Sequence, residues 1–132
     1  MFTLGVSDHV MIAHRIADPV FGLAQRLHGA TYAIDLQIRV PALGRHNVVM
    51  DIGQLRSALR SVLDEFDYCN LDEHPDFVDI VSTTERVAEH VANRVVERVG
   101  LLAIDDRPLP GGTVQVTVRE SPVAYAAYER KL

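Results

Sequence analysis

Three polar side chains fall where the pattern calls for apolar ones: His14, His28 and Glu120. Each continues the apolar parity of a predicted β-strand. A polar group in such a stripe is costly unless it has a partner. His14 closes the first predicted strand and His28 leads into the second. A hairpin therefore sets both imidazoles on one face and at one edge. Neutral imidazoles so placed suit zinc, which in catalytic sites has three protein ligands plus a water. His9 has the opposite parity and joins them only through a bulge; Asp8 interrupts the apolar parity, which points to one there. His46 lies in a loop that can fold back, while His74 and His90 read as solvated loop and helix residues. The plain alternative is that His14, His28 and Glu120 sit at sheet edges, hydrogen-bonded or wet.

Asp67-Tyr68 follows a predicted helix. It reads either as a helix end with a packed tyrosine or as a carboxylate beside a phenol, an acid/base pair. Thr83 and Thr84 stand at a helix N-terminus, whose free N–H groups also suit a ligand's acceptors. Nothing near Cys69 supplies the positive charge that would activate a thiol.

The elements that position these residues follow from hydrophobic periodicity. Residues 2–14 alternate with Phe2, Leu4, Val6, Val10 and Ile12 on one face, and residues 30–40 with Tyr32, Ile34, Leu36, Ile38 and Val40. Residues 51–67 read as a helix with an apolar stripe of Ile52, Leu55, Leu59, Val62, Leu63 and Phe66. Asp51 is its expected N-cap, with Gln54 in the capping-box position. Residues 83–99 form a second amphipathic helix, and Ser82-Thr83-Thr84-Glu85 has the capping-box spacing. Pro108, Pro110 and Gly111-Gly112 mark a turn before strands at 113–120 and 123–128. Residues 15–27, with a turn at Asp18-Pro19, and 68–81 are long connections of the kind that often carry function. The order β-β-α-α-β-β predicts an α+β sandwich: a four-stranded antiparallel sheet with two helices on one face, in a single domain spanning residues 1–132.

The chain has 132 residues, 48% of them hydrophobic, with a formal net charge of -5. That balance argues against a general electrostatic grip on nucleic acid. No run approaches the roughly 18 apolar residues of a membrane span, and the N-terminus lacks the pattern of a signal peptide. With one cysteine no internal disulfide forms, and a cytoplasmic protein is the simplest expectation.

Taken together, Ala13-His14-Arg15-Ile16, Leu27-His28-Gly29-Ala30-Thr31-Tyr32, Val49-Met50-Asp51-Ile52, Asp67-Tyr68-Cys69-Asn70-Leu71, Ser82-Thr83-Thr84-Glu85 and Val118-Arg119-Glu120-Ser121 resemble the 6-pyruvoyl-tetrahydropterin synthase and 6-carboxy-tetrahydropterin synthase family. The resemblance runs over nearly the whole chain, carried by the order and spacing of these segments. It implies the tunnel fold, an assembly whose sheets join into a barrel, commonly a homo-hexamer, and active sites between subunits. It also implies a zinc ion held by three histidines, the one matched by His14 and both of a His-Gly-His motif that here reads His28-Gly29-Ala30. The family's catalytic cysteine falls at Ala24, and its Asp-His pair at Asp67-Tyr68. Glu120 matches the glutamate that anchors the pterin ring, and Thr83 and Thr84 the threonines beside it.

The departures are concentrated: the pocket for a pterin is kept, while the third zinc ligand and the nucleophile are changed. A bulge at Asp8-His9 would restore a three-histidine site of His9, His14 and His28. The leading expectation is a divergent metal-assisted lyase acting on a pterin or a related small polyhydroxylated carbonyl compound, with Asp67 and Tyr68 moving protons. The alternative is a pterin-binding or scaffold oligomer without catalysis. A plain structural oligomer is a third possibility; it requires Glu120 to be paired with a protein cation.

Overall fold

The computed structural model describes residues 1–99, 109 and 111–132; the expected turn residues Pro108 and Pro110 lie outside these. Strand β1 (Phe2–His14) pairs antiparallel with β2 (His28–Val40). Their register runs from Phe2 opposite Val40 to His14 opposite His28 without a slip. Strand β3 (Cys69–Asn70) lies parallel to β1 beside Ile12 and Ala13. Strands β4 (Thr113–Ser121) and β5 (Ala124–Lys131) complete a sheet in the order β3-β1-β2-β4-β5. The sheet is thus mixed and five-stranded, against the four antiparallel strands expected. A two-residue strand is too short to show a period of two, so β3 left no signal in the sequence.

Helices α1 (Ile52–Leu63) and α2 (Thr84–Val99) cover one face. The alternating residues Val10, Ile12, Tyr32, Ile34, Leu36, Ile38, Val114, Val116 and Val118 point toward them and are buried. The helices answer with Leu55, Leu59, Val62 and Leu63, and with Val87, Ala88, Val91, Ala92 and Val95. Ile52, expected in the α1 stripe, is exposed in the first turn of the helix. Asp51 caps α1 by accepting the Gln54 N–H at 2.9 Å. None of the described helices is long and apolar enough to cross a membrane.

Helix α1 ends four residues before Asp67, earlier than its periodicity suggested. Phe66 stays in the core, and the chain then turns through Tyr68, whose φ of 57° is left-handed. The turn delivers the Tyr68 N–H to the Met11 carbonyl at 2.7 Å and starts β3 along the edge of β1.

The bulge expected at Asp8-His9 is absent, and the pairing of β1 shows why. Asp8 faces inward as its parity says, and its carboxylate meets Arg60 of α1 at 3.1 Å. A partnered carboxylate breaks the apolar stripe without breaking the strand. The irregularity lies instead between β4 and β5, where the register slips between Arg119 and Ser121 and leaves Glu120 as the extra residue. Bulges re-aim side chains and gather beside functional sites.

Candidate functional site

His14 and His28 are directly opposed at the end of the β1–β2 ladder. Their ring centroids are 4.6 Å apart in an edge-to-face arrangement. His14 is buried and His28 half-buried. The His14 Nδ1 lies 2.9 Å from the Ser82 carbonyl oxygen, and the His28 Nδ1 lies 2.8 Å from that of Arg26. A carbonyl oxygen only accepts, so in the neutral form of each ring Nδ1 carries the proton and Nε2 presents a lone pair. Metal-bound histidines are held in this way, with one ring N–H donated to a fixed acceptor and the other nitrogen free. Burial, followed by the nearby His28, holds His14 below the usual histidine value despite the opposing Ser82 hydrogen bond. The neutral form that ligates metals is therefore favoured.

The donor set fits a borderline-soft divalent ion at two positions. The third position expected from the family is the half-buried Ala30, whose methyl group cannot ligate. His9 does not replace it, since its side chain is 73% exposed on the far face of the sheet. With no bulge to turn it, opposite parity keeps the residue outside the site.

The first turn of α2 and the end of β4 supply the polar groups around this pair. Thr84 is buried and its hydroxyl donates to the carboxylate of Glu120. Glu120 is exposed, and its partner among the described residues is this neutral hydroxyl rather than a cation. Tyr32 lies beside His14, with ring centroids 6.3 Å apart. Burial pushes its phenol up to about 12, against a hydrogen bond with Thr84 that pulls the value down. Thr83 caps α2 by accepting the Arg86 N–H at 3.4 Å. Ser82, the expected capping-box residue, is instead buried against His14. The run Ser82-Thr83 offers two possible caps, and only the surplus one was available to the histidine.

Asp67 and Tyr68 stand apart from this group. Asp67 accepts the Met11 N–H at 2.9 Å with one oxygen and meets Arg60 at 2.9 Å with the other. Tyr68 is 81% exposed. Ala24 is half-buried, and its carbonyl accepts the Ile16 N–H at 2.9 Å, which folds the connecting loop back toward the end of β1. That loop contains a 3-10 turn, Pro19–Gln25, capped by Asp18.

A second group, Glu65, Asp76 and His90, brings one ligand atom each within 4.8 Å of one another. Arg94 binds Glu65 at 3.1 Å and 3.3 Å, and Arg98 binds it as well. Glu65 is thereby neutralised, and an added cation would meet two guanidinium groups. This cluster is a salt-bridge network.

Comparison with known proteins gives the family of the chain. Residues 3–131 match the sequence model of the 6-pyruvoyl tetrahydropterin synthase family. The chain is 28% identical to 6-carboxy-5,6,7,8-tetrahydropterin synthase of Bacillus subtilis (strain 168), over 98% of this chain and 86% of that protein. Its fold is similar to that of 6-pyruvoyl tetrahydropterin synthase from Caenorhabditis elegans, with a TM-score of 0.79 at 24% identity, covering 98% of this chain and 96% of the other. The Plasmodium vivax enzyme gives a TM-score of 0.76 at 24% identity, covering 99% and 98%. The match over nearly the full length establishes that the chain belongs to the 6-pyruvoyl tetrahydropterin synthase family.

Proposed function

We propose that this protein is a divergent tetrahydropterin-synthase-type lyase that binds a pterin or a related polyhydroxylated carbonyl compound beside His14 and His28. The observation that carries the reading is the paired imidazoles, each with Nδ1–H tied to a backbone carbonyl and Nε2 left free. His14 and His28 would hold a zinc ion, which would supply Lewis-acid polarisation of a substrate oxygen. Glu120 accepts N–H donors from the heterocycle, oriented by the Thr84 hydroxyl; Thr83 lies at the same helix N-terminus. The Asp67 carboxylate of a neighbouring copy in a homo-hexameric ring takes a proton next to the substrate carbonyl, and the Tyr68 phenol gives one to the enolate oxygen. Support for this last step is the exposure of Tyr68, at 81%, beside the start of β3.

The competing reading is a pterin-binding oligomer without catalysis. It is favoured by Ala24, which cannot act as a nucleophile, and by the capture of both Asp67 oxygens by Arg60 and Met11.

Titration of the purified protein with neopterin, with and without zinc, separates the two readings. Glu120→Gln should weaken neopterin binding roughly 10- to 100-fold, the value of about 1.5–3 kcal/mol for hydrogen bonds to a charged group, with Tm unchanged. Binding that survives the substitution refutes the pocket. Binding without zinc uptake or turnover of a dihydropterin supports the non-catalytic reading.

A further inference from the structure

We infer that Asp72 is a positioning residue for His14, acting through the hydroxyl of Ser82 and the backbone of Arg15. The inference deepens the metal-site reading above and rests on it.

Ser82 touches the His14 ring twice. Its carbonyl lies 2.9 Å from Nδ1 and its Oγ lies 3.1 Å from the same atom. A hydroxyl both donates and accepts, so Oγ alone leaves the direction of that contact open. Asp72 closes the choice, because Ser82 Oγ donates to Asp72 Oδ1 at 3.4 Å. With its proton directed at the carboxylate, Oγ presents a lone pair to Nδ1–H. The other oxygen, Oδ2, accepts the N–H of Arg15 at 2.8 Å and so clamps the residue after His14. Asp72 is itself held by Asn70, whose side chain accepts its N–H at 3.0 Å. One carboxylate thus fixes both the strand end that carries the ring and the group that orients the ring. Ser82 is 1% exposed, which keeps water from replacing its contacts with the ring.

Co(II) titration, read by its visible absorption, and the His14 imidazole N–H signal in proton NMR of the metal-free protein test this together. Asp72→Asn has one oxygen and satisfies only one of the two donors. It should lower Co(II) affinity about 10-fold, within the range for outer partners of metal ligands, and weaken or broaden the N–H signal. Ser82→Ala should do the same while leaving the carbonyl contact. The double variant should lose less than the product of the two single losses, since the residues act in series. Equal Tm values exclude a general loss of fold. Overturning results are Co(II) affinity within twofold of wild type in both variants, strictly multiplicative losses, or a fall in affinity that tracks Tm with the N–H signal unchanged. If wild type binds Co(II) no better than His14→Ala, the metal reading fails. The N–H signal still decides whether Asp72 positions the ring.

Discussion

Strand β1 sends two polar side chains into the same apolar face, and their fates differ. Asp8 is closed into an ion-pair network in which Arg60 also meets Asp64 at 2.8 Å and Asp67 at 2.9 Å. His14 is satisfied at one nitrogen by Ser82 and open at the other. Saturated polar groups in a core hold elements together. A group held rigidly on one side and left unsaturated on the other is ready to bind something. The same contrast separates Glu65, gripped by Arg94 and Arg98, from Glu120, which has a single neutral partner among the described residues and stands at a bulge.

The largest test of this contrast is to complete the open side. Ala30 shares the face of His28 and Tyr32, so Ala30→His adds a third imidazole to the pair. A four-ligand zinc site is worth roughly 10–16 kcal/mol, or about 3 kcal/mol per donor. Zinc affinity should rise about 100-fold, measured by competition with a chromogenic chelator. No gain would mean that the Nε2 atoms of His14 and His28 do not converge with residue 30 on one ion.

Opening the closed side comes next. Arg60→Met strands Asp8 and Asp67, whose side chains are 25% and 20% exposed. Partial solvent access reduces the cost below that of a fully buried pair, to about 2 kcal/mol. Urea midpoints report the loss, while zinc binding at His14 and His28 should stay within twofold. A large loss of zinc affinity would show that the two regions are coupled and not separate.

The smallest effect is in pH. His14 and His90 are both held below the usual histidine value, first by burial. Each binds fewer protons folded than unfolded in the window between the two values. Stability therefore rises with pH there, is fully present above about 6.5, and is lost as pH falls through that value toward the folded pKa. Urea midpoints should decline over this interval, and His90→Gln should flatten the slope. A wild-type midpoint that stays level between about pH 7.5 and 5.5 contradicts the assignment.

Much of the framework was legible because it is local. Alternation in β1 and β2 predicted the facing of every residue from Val10 to His14 and from His28 to Val40. The opposition of His14 and His28 followed from pairing those strands as a hairpin. Several departures from the periodic pattern involve partners distant in sequence. Asp8 looked like a bulge because Arg60, 52 residues away, leaves no periodic mark beside it. Ser82 looked like a cap because its contact with His14 spans 68 residues. Asp72 carries no distinguishing mark within an acidic connection, since its donor Arg15 is 57 residues away.

By itself the sequence determined the two-layer architecture, the face of each strand and the identity of the paired histidines, because side-chain parity is a short-range property of the backbone. It also determined that Ala24 and Ala30 carry no reactive group. Only the tertiary structure decided which polar residues are saturated and which remain open. Saturation depends on where hydrogen-bond partners come together in space, and no periodicity encodes that meeting.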